Sequence, residues 1–291
     1  MNSMSRRKAF LVITGIVGCT SSFLRPTRRA RAFDVEETET SSSRKNRLSS
    51  TDLSTSTSNR DSITGIGIRD PHYASGSEAA YIIDGAIVCF DKSTSAEQRC
   101  DVSNTILLAQ RAATKKASRT AKPSEWLQTF REVLDTVGWA VQQFTFQTFN
   151  SSKPTFVIGA DVLLPMLPLI GKSVATNALQ SISSVSKDDE RRVLYESASC
   201  DVQDGIGIFA VVSYSAGALV MSLAIAQVHT EQKIEGSLAF PLDAKRTECK
   251  SSSQSMSLDM AVFGKLRDQI AKKLADLPKT GVKNIDLQYK S

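Results

Sequence analysis

Ala80-Tyr81-Ile82-Ile83-Asp84-Gly85-Ala86-Ile87-Val88-Cys89-Phe90 is two short apolar runs separated by Asp-Gly. Two-residue hairpin loops need residues that tolerate unusual backbone angles, and Asp-Gly supplies them. The stretch therefore predicts a β-hairpin. A second hairpin is predicted further on, where Phe209–Ala216 and Leu219–Val228 flank Ala216-Gly217-Ala218. Glu235–Phe240 is expected to add a strand.

Between and after the hairpins the apolar period changes. Over Glu125–Val137, Trp126, Leu127, Phe130, Val133, Leu134 and Val137 form one stripe at helical spacing. Ser124 is read as its cap and Gly138 as its end. A helix is also predicted over Ser103–Lys116, and a strand over Trp139–Phe149, where Phe144, Phe146 and Thr148 share a face. Residues 156–183 read as helical. Pro165 and Pro168 impose a turn between Val162-Leu163-Leu164 and Gly171–Ser181. A short polar helix over Lys187–Ser197 carries Asp188, Asp189 and Glu190 beside Arg191 and Arg192 as a solvated face. The final helix is expected from Ser257, as cap, to about Leu277. Helices in the middle and hairpin-linked strands define an α+β class, with a mainly antiparallel sheet packed against several amphipathic helices.

The N-terminus reads as an export signal, residues 1–32. Arg6-Arg7 precede a short apolar core that ends near Gly18, and Ala30-Arg31-Ala32 is a small-x-small cleavage site. The core is shorter than the roughly 20 apolar residues that span a bilayer. Extra positive charge at Arg25, Arg28 and Arg29 resembles twin-arginine leaders, which carry folded cargo. The mature chain is expected to begin near Phe33, with no transmembrane span. Ile16-Val17-Gly18-Cys19 also fits a lipobox, so Cys19 is a competing lipidation site. Residues 33–65 are Ser/Thr-rich and too poor in large apolar side chains to fold, and are expected to be a disordered linker. Residues 66–291 are expected to form one globular domain. The location implied is extracytoplasmic or secreted, or, since a Ser/Thr/Arg-rich tract follows Ser22-Phe23, a plastid or thylakoid lumen.

The chain holds 36 basic and 30 acidic residues. Seven of the basic ones lie in residues 1–32, which contain no acid; subtracting them leaves 29 against 30, a net charge of −1. The basic character belongs to the leader, and the remainder has no global attraction for phosphate backbones, which disfavours nucleic acid as a partner.

Catalytic and ligand motifs are weak. His72 and His229, the two histidines, are not at metal-ligand spacing. Ser213-Tyr214-Ser215-Ala216-Gly217 departs from the Gly-x-Ser-x-Gly elbow at its first position and lacks a following helix. Gly65-x-Gly67 and Gly205-x-Gly207 lack the third glycine of a dinucleotide loop, and Gly171-Lys172-Ser173 lacks the glycine a phosphate loop needs at Met166. No cofactor is implied. Besides Cys19 there are Cys89, a small hydrophobe in a strand, and Cys100, Cys200 and Cys249, which are candidates for disulfides or reactive thiols. Asn150-Ser151-Ser152 is a glycosylation sequon.

Thr105-Ile106-Leu107-Leu108-Ala109-Gln110, Glu125-Trp126 with Phe130, Val133-Leu134 and Gly138-Trp139 resemble a family of uncharacterised proteins sharing an LLAQ stretch, an E-W-x-x-x-[FY] helix and a G-W step. That resemblance covers about residues 102–290 and implies no activity. There is a fainter likeness to a bacterial virulence-factor domain with a buried acylated cysteine, with no motif matched residue by residue. Two functions follow as expectations. One is a non-enzymatic exported domain that binds a partner protein, an apolar ligand or a membrane surface, with Val162–Ile170 lining a cavity. The other is a hydrolase using Ser215, or a cysteine, with His229.

Overall fold

The Asp84-Gly85 turn joins β1 (Ala79–Ile83) to β2 (Ala86–Phe90), antiparallel with Ile83 opposite Ala86. Asp84 takes a φ of 46° to make it. The computed structural model that shows this describes residues 76–234, 241–275 and 281–287. The leader with Cys19, Ala30 and Ala32, the 33–65 tract, His72 and the expected Glu235–Phe240 strand lie outside the described residues.

Five α-helices follow among the described residues: α1 (Ala96–Lys116), α2 (Pro123–Thr136), α3 (Leu169–Ser184), α4 (Glu190–Ser199) and α5 (Met260–Ala275). The remaining strands are β3 (Gln147–Thr148), β4 (Thr155–Val157), β5 (Asp204–Ser215), β6 (Ala218–Thr230), β7 (Pro241–Asp243), β8 (Thr247–Leu258) and β9 (Val282–Ile285). Seven strands form one sheet in the order β3-β8-β6-β5-β2-β1-β9, and β4 pairs with β7 in a small second sheet. All pairings are antiparallel except β2 with β5. The fold is α+β with a mainly antiparallel, mixed sheet.

The second hairpin, β5–β6, turns at Ala216-Gly217, whose φ values of 51° and 80° are both positive, as a tight two-residue turn requires. Alternation along these strands feeds two apolar layers. Ile206, Ile208, Ala210 and Val212 join α1, α2 and α5 on one face; Phe209 and Val211 join α3 and α4 on the other. Because both faces are covered, β1 and β2 are buried almost without interruption.

Several boundaries differ from the sequence expectation. α1 begins at Ala96 rather than Ser103, because Ser95 and Gln98 form a reciprocal capping box. It is buried over nearly all of Val102–Ala113, so it is not simply amphipathic. α2 is not capped by Ser124: Lys122 holds that place and Pro123 is the first helical residue, where its missing N–H and fixed φ cost nothing. Gly138, at φ 108°, ends the helix as expected. Ser257 does not cap α5 but lies in β8; the Asp259 carboxylate accepts from the amides of Ala261 and Val262. Trp139–Phe149 is not a continuous strand. Trp139 bridges Leu258, Gln147–Thr148 pair with β8, and Thr148 is exposed while Phe144 and Phe146 pack on the core.

A buried cation ties these layers together. The Arg119 guanidinium donates to Gln110 Oε1 (2.9 Å), Gly85 O (2.9 Å) and Ile206 O (2.8 Å), and stacks 4.5 Å from the Trp126 ring centroid. It therefore joins the β1–β2 turn, β5, α1 and α2. Burial lowers its pKa to about 10, still charged at neutral pH.

Candidate interaction surface

The β5–β6 ladder separates the residues proposed for hydrolysis. Ser215 pairs with Ala218 beside the turn, whereas His229 pairs with Asp204 at the opposite end. Along the 12 residues of β5 that is roughly 35 Å at ~3.4 Å per residue. His229 Nδ1 lies 2.8 Å from Asp204 Oδ1, and this hydrogen bond raises the imidazole pKa. The pair is exposed on the surface. Cysteines do not join it. Cys249, opposite Val228, belongs to the apolar layer on the other face of β6, and so does Cys89. Cys200 caps α4 and bridges Gly205, whose face of β5 is also the one away from Asp204. Cys100 lies in α1, ten residues before Gln110, which reaches Ile83.

All four of these cysteines are thiols. Cys100 is half-buried within α1, and Cys200, also half-buried, is the extended residue that ends α4; Cys249 is buried in β8, and burial pushes its thiol pKa up to about 12, away from reactivity. Burial pushes the Cys89 thiol up as well. Cys200 lines an open groove of about 470 Å³ with Lys187, Glu196, Asp201, Val202, Lys233 and Ile234. Its thiol donates to Glu196 O at 3.3 Å. A second groove, about 420 Å³, runs beside Phe149, Asn150, Phe156 and Cys249, which places the sequon asparagine, itself exposed, on its rim. Among the described residues no three His, Cys, Asp or Glu side chains are grouped to hold a metal ion.

Val162–Ile170 lines neither groove. After β4 the chain makes a π-helical turn over Ile158–Leu163 and a 3₁₀ turn over Leu164–Met166, and Pro168 then opens α3. Val162, Leu163 and Leu167 point into the core, but Leu169 is 86% and Ile170 64% exposed. Gly171 fixes the position of this tip. A Cβ there would lie 1.9 Å from Val211 Cγ1, so only glycine lets α3 sit on β5 this closely.

Six large apolar side chains are exposed among the described residues. Four lie at one end of the sheet: Leu169 and Ile170 beside Val211, Tyr214 at the end of β5, and Met260 just past Leu258, which pairs with Leu219. Val193 and Val202 lie toward the other end, where α4 meets the start of β5. The apolar end is where β2, β5 and β8 finish. Lys92 follows β2 there, and Ser93 Oγ accepts from the Tyr214 amide at 2.9 Å. The sequence pointed to Leu169 and Ile170 as apolar but not as exposed. Tyr214 and Met260 carried no signal, because their exposure depends on where β5 and β8 end.

No family model matches the chain, and no curated protein matches its sequence. Among solved structures, that of the Evf virulence factor is similar over 69% of this chain and 90% of that one, at 15% identity and a TM-score of 0.34. This is a likeness to a virulence factor, the direction of the second resemblance. The LLAQ signature corresponds to no family model. No activity and no residue role are carried over from that protein.

Proposed function

We propose that this chain is a non-enzymatic interaction domain, exported by its leader, that docks through the apolar end of its sheet. The observation that supports the reading is that four of the six large apolar side chains exposed among the described residues lie at this end, Leu169 and Ile170 together on the α3 face and Tyr214 and Met260 on the face of α1, α2 and α5. Scattered single apolar residues are ordinary on protein surfaces, whereas Leu169 and Ile170 are adjacent and both exposed at one helix tip. Leu169 and Ile170 leave most of their surface in solvent, so little of their apolar area is spent on the core.

The test is retention on a phenyl resin. Leu169→Asp/Ile170→Asp is expected to elute much earlier than the wild type, with unchanged circular dichroism. Val193→Asp/Val202→Asp, at the other end, is expected to elute close to it. Equal shifts for both pairs would remove the special status of this end.

A further inference from the structure

We infer that the occupant of this end is an anionic lipid bilayer, into whose interface Leu169 and Ile170 insert while Lys172 and Lys92 meet headgroup phosphates. This rests on reading the apolar end as the interaction surface. The shape favours a bilayer over a peptide or a small ligand: the two side chains stand on a helix tip and line neither groove. An apolar ligand needs a concave site that covers most of its surface, whereas an interface receives a convex wedge to a depth of about 5–10 Å.

Charge supports the same choice. No acid occurs between Asp161 and Asp188, the segment that carries Leu169, Ile170 and Lys172. Lys92 is exposed, and neither Lys92 nor Lys172 has an ion-pair partner among the described residues. The acids at this end keep their charge: Asp91, beside Lys92, accepts from the Ser93 amide, whereas Asp259 caps α5 and Glu97 lies 2.6 Å from Arg267 on elements that cover the face of the sheet opposite α3. An apolar wedge with flanking lysines combines two weak signals, which suits reversible, salt-sensitive binding. Among the described residues no helix is long and apolar enough to cross a membrane, so the contact proposed is peripheral.

Co-sedimentation of the full chain with phosphatidylcholine vesicles, with and without phosphatidylserine, tests this. The wild type is expected in the pellet only when phosphatidylserine is present. Leu169→Asp/Ile170→Asp is expected to bind at least about tenfold more weakly, and Lys92→Glu/Lys172→Glu to bind more weakly and with less response to salt. Wild type that stays in the supernatant with phosphatidylserine vesicles overturns the inference. If the phenyl resin still separates wild type from Leu169→Asp/Ile170→Asp, the interaction end stands and the bilayer is wrong; if it does not, both fail. Concentration-dependent self-association without vesicles, lost in Leu169→Asp/Ile170→Asp, would make the occupant a second copy and also overturn it.

Discussion

Asp101 illustrates how one side chain couples this fold to pH. Its carboxylate lies 2.6 Å from Arg267 Nη2, yet burial outweighs that attraction and raises its pKa to about 6. A raised folded-state pKa means the folded state holds the proton more tightly than the unfolded chain, whose aspartates titrate near 3.9. The stabilisation is therefore present below about pH 4 and lost as pH rises through 6, about 3 kcal/mol in all. Asp101→Asn removes that dependence. Urea titrations should show the wild type gaining about that much stability over Asp101→Asn between pH 7 and pH 4; a constant difference would contradict the assignment. Gly171 is the second decisive residue. Gly171→Ala forces a methyl group into Val211 and should cost about 1–3 kcal/mol through overpacking, read as a lower urea midpoint with an unchanged slope. An unchanged midpoint would mean that α3 does not seat on β5 as described.

At the scale of elements, Arg119 binds together parts that no local preference would join. β2 and β5 pair in parallel, and a chain segment of more than a hundred residues separates them. Arg119 donates to a carbonyl from each side of that junction, Gly85 O and Ile206 O. Arg119→Ala leaves those acceptors buried and unsatisfied and should destabilise by about 3–5 kcal/mol, seen as a marked drop in Tm. A small drop would show the crossover to be held by apolar packing alone. The sequence disclosed the elements whose local chemistry agrees with their place. Both hairpins were legible from Asp84-Gly85 and Ala216-Gly217, and α2 from its apolar stripe. β8 was not, because Thr247–Leu258 is largely serine and charge, with apolar side chains only at Cys249, Met256 and Leu258. It is a strand because β6 supplies twelve paired residues beside it. The first turns of α1 were hidden for a similar reason: Glu97, Gln98, Arg99 and Asp101 are all polar, and the burial of Arg99 and Asp101 is offset by contacts distant in sequence, Arg99 with Ser77 and Asp101 with Arg267. The apolar tip was half legible. Pro165 and Pro168 signalled the turn, but only the seat of Gly171 on Val211 shows which side chains it turns outward.

For the whole molecule, delivery and docking make one proposal. Residues 1–32 hold the excess positive charge and the remainder is near-neutral, so under the proposed export attraction to an anionic surface comes from a local arrangement of lysines rather than from net charge. Intact mass and N-terminal sequence of the protein purified from its source test delivery. A start at Phe33 is expected; a start at Met1 would contradict export, and a lipid-modified Cys19 would move the anchor to the leader. Docking itself is best followed at the tip. Trp126 and Trp139 are both buried, so they contribute a constant background to a tryptophan reporter placed on the surface. Leu169→Trp and, as control, Val202→Trp should be mixed with phosphatidylserine-containing vesicles and their emission recorded. A blue shift is expected for Leu169→Trp and none for Val202→Trp; no shift at Leu169→Trp, or the same shift at both, would contradict docking through this tip.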